Sequence, residues 1–571
     1  MKASKAVAKL LFNHGIEYCF ELAGGMIAHL LDDLSSEESI GMISMHHEQS
    51  AAFAAEGVAR SSQGRRMAVA MGTSGPGATN LMTGIGSCWF DSVPCLFITG
   101  QVNMNELRES GSLLRQQGFQ ELDIVPMVKS ITKYSSQIRS VNDLMPEIHR
   151  AMSIALSGRQ GPVLIDIPNN IQRMEIDEAV VDQWLKLPLA IEPMTILSGK
   201  SLDLLGSYCS ESKRPLICVG GGARWAPSFQ TWLDRLNTYE IPYVSTLMSH
   251  ERIVSNKSYF NMIGSYGNRE ANWALQNCDL LIVVGARLDV RQTGADVRDF
   301  ARNAKLIHID IDPAQLNNRV ASDVSIIASS EDFFNKFTID ESVFPKKSVE
   351  WFDCLSSFKE SLSEKDEYPD WEMSPTKLFS KINDSMAGKA VNYVCDVGNH
   401  QMWAAHNLRI GRDQAVHYSG GMGAMGFALP AAIGIALGSN TKVVVITGDG
   451  SLQLNIQELD SIKRLGLNIS IIVLNNKSLG MVKNFQDMYF EGRDKSTRSG
   501  YSAPSFSRLA ECYGVEGIFV DSIDAFNASI SKVLSADQPI LMEVMMPYAL
   551  ECRPRLSYGS KLDEQTPVII P

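Results

Sequence analysis

The chain has 571 residues, of which 45% are hydrophobic and 20% are charged, a balance that is typical of globular proteins and excludes disordered, collagenous and coiled-coil chains. At about 150 residues per domain, this length predicts three to four domains. Lysine and arginine number 52 against 64 aspartate and glutamate residues, giving a net charge of −12, which argues against nucleic acid or an anionic membrane as the main partner.

Cysteine usage and the N-terminal segment both favour an intracellular protein. The ten cysteines are scattered without a C-x-x-C pair, which excludes the common zinc spacings and a disulfide scaffold and favours free thiols. Lys2, Lys5 and Lys9 interrupt the first apolar residues, so we expect an amphipathic helix there rather than a signal peptide. No apolar run reaches the roughly 18 residues of a membrane span. We therefore expect a cytoplasmic protein with no membrane partner.

Apolar runs alternate with helical patterns in three successive blocks. The predicted strands are 67–71, 95–100 and 163–167, then 215–220, 280–285 and 305–310, then 392–396, 442–447 and 469–474. This alternation predicts three α/β domains with doubly wound parallel sheets, whose ligand sites lie at the carboxyl ends of strands. We place the domains at 1–175, 190–340 and 370–550, followed by a tail at 551–571.

The first and third blocks share a weak sequence echo. Ser74-Gly-Pro-Gly-Ala-Thr, a helical stretch and strand 96–101 parallel Ser419-Gly-Gly-Met-Gly-Ala, a helical stretch and residues 444–449. Two interpretations stay open. The echo is either a chance similarity between two α/β units or the trace of a duplicated pair of like domains.

The third block carries polar residues at the ends of two successive predicted strands. Gly448-Asp449-Gly450 follows one strand, and Asn475-Asn476 ends the next. A carboxylate and an amide oxygen at adjacent strand ends can bind Mg²⁺, which usually completes its shell with phosphate oxygens. The glycines let backbone N–H groups approach a phosphate, and we expect a helix beginning near Leu454 to add its positive end. These residues predict a site for a metal-bound diphosphate.

Gly421, Gly423 and Gly426 offer a competing interpretation. Their G-x-G-x-x-G spacing matches the fingerprint of dinucleotide-binding sheets, and Asp449 follows at about the distance expected for the acidic residue of that fingerprint. An NAD-dependent oxidoreductase is therefore an alternative function. It leaves Asn475-Asn476 without a role.

Many separate motifs in one order resemble those of thiamine diphosphate enzymes. Residues 448–476 look like the thiamine diphosphate motif, and His47-Glu48-Gln49 looks like the family's glutamate segment. The order is similar to that of the acetolactate synthase large subunit and its relatives along nearly the whole chain. Further matching stretches are 73–80, 98–101, 119–121, 161–166, 420–425 and 479–481.

The resemblance implies a role for each catalytic residue. Glu48 would stabilise the imino tautomer of the aminopyrimidine ring of the cofactor. Gln120, Phe119 and Gly25 would face the reacting carbon. Met425 would hold the cofactor bent.

The resemblance also implies how the rest of the cofactor is held. The carbonyl of Gly423 would accept a hydrogen bond from the amino group of the pyrimidine. Asp449, Asn476 and the carbonyl of Ser478 would bind Mg²⁺. The cofactor-binding residues around the diphosphate would be Gly398, Asn399, His400, Gly448, Gly450, Ser451, Leu479, Gly480 and Met481.

The second block resembles the family's FAD site. The residues implied are Gly220, Gly221, Gly222, Arg224, Thr246, Leu247, Met248, Gly285, Arg287, Asp289, Asp310 and Ile311. A vestigial domain, or one that binds another adenine nucleotide, is the alternative, since Ala328-Ser329 stands where relatives tend to have Gly-Asp. In relatives the glutamate and the diphosphate domain come from different subunits, so the resemblance also implies a homodimer or homotetramer.

The departures from the family pattern fall around the substrate. Where acetolactate synthases carry a tryptophan after Gly-Met-Val, this chain reads Gly480-Met-Val-Lys-Asn-Phe485, and their Pro-Lys pair reads Pro168-Asn169. Their Tyr-Pro-Gly-Gly reads Leu22-Ala-Gly-Gly25. We therefore expect a carboligase that decarboxylates pyruvate and transfers the two-carbon unit to a carbonyl acceptor. The acceptor is a second pyruvate or, as the alternative, a keto sugar or another bulky ketone.

Overall fold

The computed structural model describes residues 1–571 except 38–39, 110, 193–196, 341, 345–347, 364, 549 and 570–571. Three six-stranded sheets, each entirely parallel, form its framework. The predicted α/β class and the doubly wound parallel sheets are confirmed. In the part of the chain that the structure describes, no helix is both long and apolar enough to cross a membrane.

The first sheet lies between two layers of helices. Its strands are β1 (Tyr18–Glu21), β2 (Gly41–Ser44), β3 (Val69–Gly72), β4 (Leu96–Gln101), β5 (Tyr134–Gln137) and β6 (Val163–Pro168). Its helices are α1 (Ala3–Asn13), α2 (Ala28–Ser35), α3 (Glu48–Ser61), α4 (Pro76–Asp91), α5 (Ile124–Val128), α6 (Val141–Leu156), α7 (Asn169–Arg173) and α8 (Glu178–Lys186). Strands β3, β4 and β6 are buried along their whole length because helices cover both faces.

The middle sheet has the strand order β12-β11-β10-β7-β8-β9. Its strands are β7 (Pro215–Val219), β8 (Tyr243–Ser245), β9 (Tyr259–Met262), β10 (Leu280–Val284), β11 (Lys305–Asp310) and β12 (Val324–Ile327). Its helices are α9 (Gly199–Glu211), α10 (Phe229–Thr238), α11 (Leu247–His250), α12 (Arg269–Asn277), α13 (Val290–Thr293), α14 (Ser330–Lys336) and α15 (Ser348–Ser363). This is the order of dinucleotide-binding sheets, in which ligands bind where the order reverses, here between β7 and β10.

The third sheet supplies the predicted diphosphate end. Its strands are β13 (Val391–Cys395), β14 (Gln414–Tyr418), β15 (Lys442–Gly448), β16 (Ile469–Asn475), β17 (Glu516–Val520) and β18 (Ile540–Met545). Its helices are α16 (Pro375–Met386), α17 (Asn399–Asn407), α18 (Ala428–Ser439), α19 (Asp449–Leu452), α20 (Glu458–Arg464), α21 (Gly480–Tyr489), α22 (Phe506–Cys512) and α23 (Ile523–Ser535). The tail forms a two-stranded antiparallel pair, β19 (Arg555–Leu556) and β20 (Gln565–Thr566).

The first and third sheets have the same topology. Their orders are β2-β1-β3-β4-β6-β5 and β14-β13-β15-β16-β18-β17, which are identical when each sheet is counted from its own first strand. This agreement favours a duplicated pair of domains. The two echoing segments are not equivalent, however, because Ser74 follows the third strand of its sheet whereas Ser419 follows the second.

Helices α3 and α18 join the first and third domains by close backbone contact. A Cβ atom added to Gly57 would lie 2.2 Å from the carbonyl oxygen of Ala431, and one on Gly434 would lie 1.8 Å from that of Ala54. Only glycine permits this approach. Both helices are also lined with alanine and belong to one continuous apolar core, so the two domains share their packing within the chain.

Candidate active site

Three helices of the third domain begin at one place. Helices α17, α19 and α21 begin directly after Gly398, Gly448 and Leu479, respectively. A Cβ on Gly480 would lie 2.7 Å from the side-chain Nδ2 atoms of Asn399 and Asn476, so the start of α21 contacts the start of α17 and the end of β16. The helix expected near Leu454 instead begins at Asp449, because the extended Gly448 caps it directly at the end of β15. Backbone N–H groups at helix starts, together with the positive ends of helix dipoles, are features of this junction that can bind an anion.

Buried polar atoms at the junction lack partners. Asn399 Oδ1, His400 Nε2 and Ser478 Oγ are buried and make no hydrogen bond within the described residues. Burial lowers the pKa of His400 to about 3, so its ring is neutral. The ring lies against Gly398 and Gly448, where a Cβ would come within 2.6 Å and 2.8 Å of it. Because unpaired buried polar groups are costly, these atoms fit a polar ligand such as a diphosphate.

The predicted Mg²⁺ ligands lie together beside this junction. The Ser478 amide donates to Asp449 Oδ2 at 3.1 Å and to Asn476 Oδ1 at 3.2 Å. Burial raises the pKa of Asp449 to about 6. In the described ranges, no cluster of three or more His, Cys, Asp or Glu side chains could hold a metal. The predicted set contains one carboxylate and two neutral oxygens, which fits Mg²⁺ only if phosphate oxygens complete its shell.

Tyr501 is a member of the site that sequence reasoning missed. Its hydroxyl donates to Asp449 Oδ2 at 3.0 Å, and a Cβ on Gly450 would lie 3.4 Å from that hydroxyl. The same hypothetical atom would lie 3.3 Å from Met425 Cε and 2.4 Å from Leu479 Cδ2. Met425 and Leu479 therefore lie next to Gly450, one residue from Asp449. No sequence signal pointed to Tyr501, since it lies in an irregular segment far from the motifs.

The loop that carries Gly423 and Met425 is held at its far end by Asp396. Its carboxylate accepts the Gly426 and Ala428 amides at 3.0 Å and 2.9 Å. Gly423 and Gly426 have φ values of 65° and 82°, a conformation that favours glycine. The glycines predicted from the dinucleotide fingerprint therefore shape a tight loop between β14 and α18.

Glu48 is buried at the first turn of α3. Its Oε2 accepts a hydrogen bond from Asn80 Nδ2 at 2.9 Å, and a Cβ on Gly77 would lie 3.1 Å from Oε1. His47 caps the helix, because its Nδ1 accepts the Gln49 amide at 3.0 Å. Asn80 was not among the predicted site residues, although it ends one of the matching motifs.

The other predicted catalytic residues surround the start of α4. Gln120 lies over Gly75, whose Cβ would come within 3.1 Å of the Gln120 carbonyl oxygen. Phe119 is 78% exposed. Gly25 is exposed one residue from Gly24, whose Cβ would meet Thr73 at 2.4 Å. The structure thus gathers these residues on the Glu48 side of the first domain.

Hydrogen bonds link the start of α3 to the third domain, but they are made by the neighbours of Glu48 and not by Glu48 itself. Ser50 donates to Asn455 Oδ1 at 3.0 Å, and the His46 amide donates to Glu458 at 3.0 Å. Among the described residues, no hydrogen bond or ion pair joins Glu48 to the residues predicted to hold the diphosphate.

A cavity of about 760 Å³ opens at the carboxyl ends of the middle sheet. Of the predicted FAD residues, those lining it are Gly221, Gly222, Arg224, Thr246, Met248, Gly285, Arg287, Asp310 and Ile311, whereas Gly220, Leu247 and Asp289 do not. Burial raises the pKa of Asp310 to about 6. The volume and the position at the reversal of strand order fit a nucleotide.

The two predicted arginines of this cavity differ in how far they are buried and paired within the protein, and so in how free they are to bind a ligand. Arg224 is buried, and its Nε lies 3.0 Å from Glu251 Oε2, while its Nη2 donates to the Asp91 carbonyl at 2.9 Å. Arg287 is about one-third exposed and pairs with the similarly exposed Asp289 at 3.2 Å. The cavity also has a wall from the first domain that the sequence did not indicate, which includes Arg159.

The region that departs from the family pattern has an aromatic surface. Phe485 is 49% exposed, and its ring centroid lies 4.6 Å from that of Tyr489 and 5.7 Å from that of Phe490. Lys483 is buried and pairs with Asp487. The cation next to the predicted substrate region is therefore already neutralised.

Comparison with protein families gives three matches in chain order. Residues 1–127 match the N-terminal TPP binding domain of thiamine pyrophosphate enzymes, residues 207–337 match the central domain, and residues 396–544 match the C-terminal TPP binding domain.

Individual relatives match nearly the whole chain. A probable acetolactate synthase large subunit of Methanococcus aeolicus is 34% identical over 95% of this chain and 92% of its own length. An acetolactate synthase of Arthrospira platensis is 34% identical over 97% and 96%. The acetolactate synthase large subunit of Lactococcus lactis subsp. lactis is 34% identical over 98% and 95%.

Proposed function

This chain belongs to the thiamine pyrophosphate enzyme family, and on that premise we propose that it decarboxylates pyruvate and transfers the two-carbon unit to a carbonyl acceptor. Its similarity to acetolactate synthases extends over nearly the full length. The first candidate acceptor is a second pyruvate, which gives acetolactate.

One observation carries the proposal. Three helix N-termini meet where His400 Nε2 and Ser478 Oγ are buried and make no hydrogen bond to any residue that the structure describes. Both atoms can donate to phosphate oxygens. The residues that would hold the diphosphate are the predicted set around Gly398 and Gly480, and Asp449, Asn476 and Ser478 would hold Mg²⁺ between protein and phosphate. Thiamine diphosphate, when bound, supplies the electron sink for decarboxylation of a 2-oxo acid.

The protein's own part is positioning and proton control. Glu48 is buried, and Asn80 fixes one of its carboxylate oxygens at 2.9 Å. The other oxygen, beside Gly77, is free to bind the aminopyrimidine ring. A carboxyl group held beside the aminopyrimidine ring would stabilise a proton on the ring nitrogen that it contacts. Because the group is already oriented, the protein does not have to rearrange for this contact. Gln120 and Phe119 are proposed to line the side from which the substrate arrives.

A bulky ketone acceptor is the second candidate, and the surface near Phe485 favours it. The exposed aromatic cluster of Phe485, Tyr489 and Phe490 offers an apolar platform. Lys483 is paired with Asp487, and Asn169 replaces the family lysine. A site with fewer free cations has less attraction for a second oxo acid.

We also propose FAD in the central cavity, assembly as a homodimer or homotetramer, and a cytoplasmic location. The cavity volume and the strand order support the nucleotide. The similarity to acetolactate synthase large subunits over nearly the full chain supports a site completed by a second subunit.

The test is product analysis on the purified full chain with pyruvate, thiamine diphosphate and Mg²⁺. Circular dichroism monitors the product, and steady formation of acetolactate from pyruvate alone supports pyruvate as the acceptor. Pyruvate consumption that requires an added bulky ketone supports the second candidate. Absence of pyruvate consumption with every acceptor contradicts the proposal, and NADH binding without a need for Mg²⁺ would favour an oxidoreductase instead.

Glu48→Gln tests the proton role separately. The variant should lose exchange of the C2 proton of bound thiamine diphosphate, measured by quenched-flow NMR, while it still binds the cofactor. Exchange at the wild-type rate would show that another group performs this role.

A further inference from the structure

Five charged side chains form a buried cluster where the three domains meet. This junction cluster consists of Glu56, Arg60, Asp91, Arg224 and Glu251, each no more than 5% exposed. Helices α3 and α4 of the first domain provide the first three, and the middle domain provides the last two. Burying several ionisable side chains together is unfavourable unless they pair with one another. The partners of the junction cluster therefore indicate what the cluster does.

Ion pairs connect all five members. Arg60 Nη2 lies 2.7 Å from Glu56 Oε1 and 2.6 Å from Asp91 Oδ2, and Arg60 Nη1 lies 3.0 Å from Glu251 Oε1. Arg224 completes the set through Glu251 Oε2 at 3.0 Å. Each carboxylate is thereby fixed in orientation.

Three of the hydrogen bonds that leave the cluster reach one short segment of the third domain. Asp91 Oδ1 accepts the Gly421 amide at 2.8 Å, and Asp91 Oδ2 accepts the Gly420 amide at 3.1 Å. Glu251 Oε1 accepts the Tyr418 amide at 3.2 Å. This segment begins the loop whose far end Asp396 holds, and between the two anchors lie Gly423 and Met425.

The anchored segment is packed so closely that it has no space for a side chain at Gly420 or Gly421. A Cβ on Gly421 would lie 2.6 Å from Phe90 Cβ and 2.9 Å from Asp91 Oδ1, and one on Gly420 would lie 2.1 Å from Met248 Sδ. Met248 and Asp91 also line the central cavity. These two side chains therefore touch both the cavity and the start of the loop.

We propose that Asp91 is a positioning residue for thiamine diphosphate: held by Arg60, it fixes the Gly420–Gly421 backbone and so sets the place of Gly423 and Met425. This inference rests on the proposed function, because the loop's role as a cofactor loop belongs to it. A carboxylate that accepts two backbone N–H groups makes charge-assisted hydrogen bonds, which are shorter and stronger than neutral ones. A preorganised loop binds its ligand without a further loss of entropy.

Two variants test Asp91, one by charge and one by shape. Asp91→Asn keeps the size of the side chain but removes the charge and one acceptor. Gly421→Ala leaves all five side chains of the cluster in place and displaces the loop through its contacts with Phe90 and Asp91, which keeps the test valid if Asp91→Asn fails to fold. Thiamine diphosphate is titrated into the full chain at fixed Mg²⁺, with intrinsic fluorescence as the readout, and thermal unfolding is recorded without the cofactor.

Asp166→Asn is the matched control for charge. Asp166 is equally buried in the first domain and accepts hydrogen bonds from Thr99, Gln101 and Gln137. Gly206→Ala is the control for shape, since a Cβ there meets nothing within 4 Å. Neither residue contacts the loop.

The expected result is a dissociation constant for thiamine diphosphate at least about tenfold higher in the folded Asp91 and Gly421 variants and unchanged in the controls. The KM for pyruvate at saturating cofactor should stay near the wild-type value, which a general loss of structure would not produce. Wild-type affinity in both variants, or an equal loss in Asp166→Asn, would overturn the positioning role of Asp91. The proposed function would not be affected. A wild-type chain that does not bind thiamine diphosphate overturns the proposed function and this inference with it.

Discussion

The diphosphate junction of the third domain and the central cavity of the middle domain differ in how their polar groups are used. At the junction, His400 Nε2 and Ser478 Oγ are buried and make no hydrogen bond within the described residues, and they lie beside three helix N-termini. In the cavity, Arg224 is already paired with Glu251. Backbone N–H groups at a helix start keep their capacity for an anion, whereas a buried charged side chain must find a partner in the protein. A glycine motif therefore indicates available donors more reliably than an arginine does.

Among the substitutions that test this comparison, Asp449→Ala should have the largest effect, which is a loss of cofactor affinity at the junction. Asp449 is the only carboxylate in the predicted metal site and is buried, so its removal leaves two neutral oxygens to hold Mg²⁺. We expect affinity for thiamine diphosphate with Mg²⁺ to fall by at least about 1,000-fold, or about 4 kcal/mol. Isothermal titration measures it. The control is Asp460→Asn, a half-exposed residue that pairs with His46, and retained affinity in Asp449→Ala would place the metal elsewhere.

Arg224→Met and Arg287→Met form a matched pair within the cavity. Removing Arg224 breaks a buried ion pair, so we expect the free energy of unfolding to fall by about 3 kcal/mol. Removing Arg287, which is partly exposed and weakly paired, should barely change stability but should weaken binding of FAD by about fivefold, or about 1 kcal/mol. Urea unfolding and flavin titration distinguish the two. If Arg224→Met instead lowers only FAD affinity, the two arginines have exchanged roles.

Gly480→Ala tests whether the junction depends on close approach. The added Cβ would lie 2.7 Å from the side-chain Nδ2 atoms of Asn399 and Asn476, so both side chains, or the start of α21, must shift. We expect a loss of thiamine diphosphate affinity of about tenfold, or about 1.4 kcal/mol, measured by fluorescence titration. Gly199→Ala, where a Cβ meets nothing within 4 Å, should change nothing. Equal affinities in the two variants would mean that the contact is not needed.

Glu56→Gln should give the smallest effect, a change in the pH dependence of stability. Burial raises the pKa of Glu56 from 4.5 to about 7, although Arg60 opposes this. The folded protein then keeps a proton that the unfolded chain releases, so this group makes the unfolding free energy fall as pH rises from about 4.5 to about 7. Chemical unfolding across this range should show a less negative slope in the variant than in the wild type. The exposed Glu360→Gln is the control, and identical slopes for all three proteins would contradict the raised pKa.

The strands were predictable because burial on both faces leaves a local mark. Runs such as 280–285 and 469–474 are apolar without interruption, and the structure has strands at Leu280–Val284 and Ile469–Asn475. The helix expected near Leu454 was wrong by one turn or more because the cap at Gly448 depends on backbone geometry, which the sequence does not display.

Some site residues carried no local signal at all. Tyr501 reaches Asp449 from an irregular segment, and Asp91 reaches Gly420 and Gly421 from the end of a helix in another domain. Tyr501 and Asp91 are both distant in sequence from the residues that they contact. Pairings of this kind depend on how the domains pack, so only the folded molecule reveals them.

Sequence by itself determined the three α/β domains and the motifs of a thiamine diphosphate enzyme, because strand burial and glycine at strand ends are properties of short segments. Tertiary structure decided which polar groups remain available. It paired Arg224 with Glu251 and Lys483 with Asp487, and it left His400 Nε2 and Ser478 Oγ without a hydrogen bond to any described residue. The physical reason is that a charge is satisfied by whatever the fold brings within a few ångströms, and that distance is set by packing between distant segments.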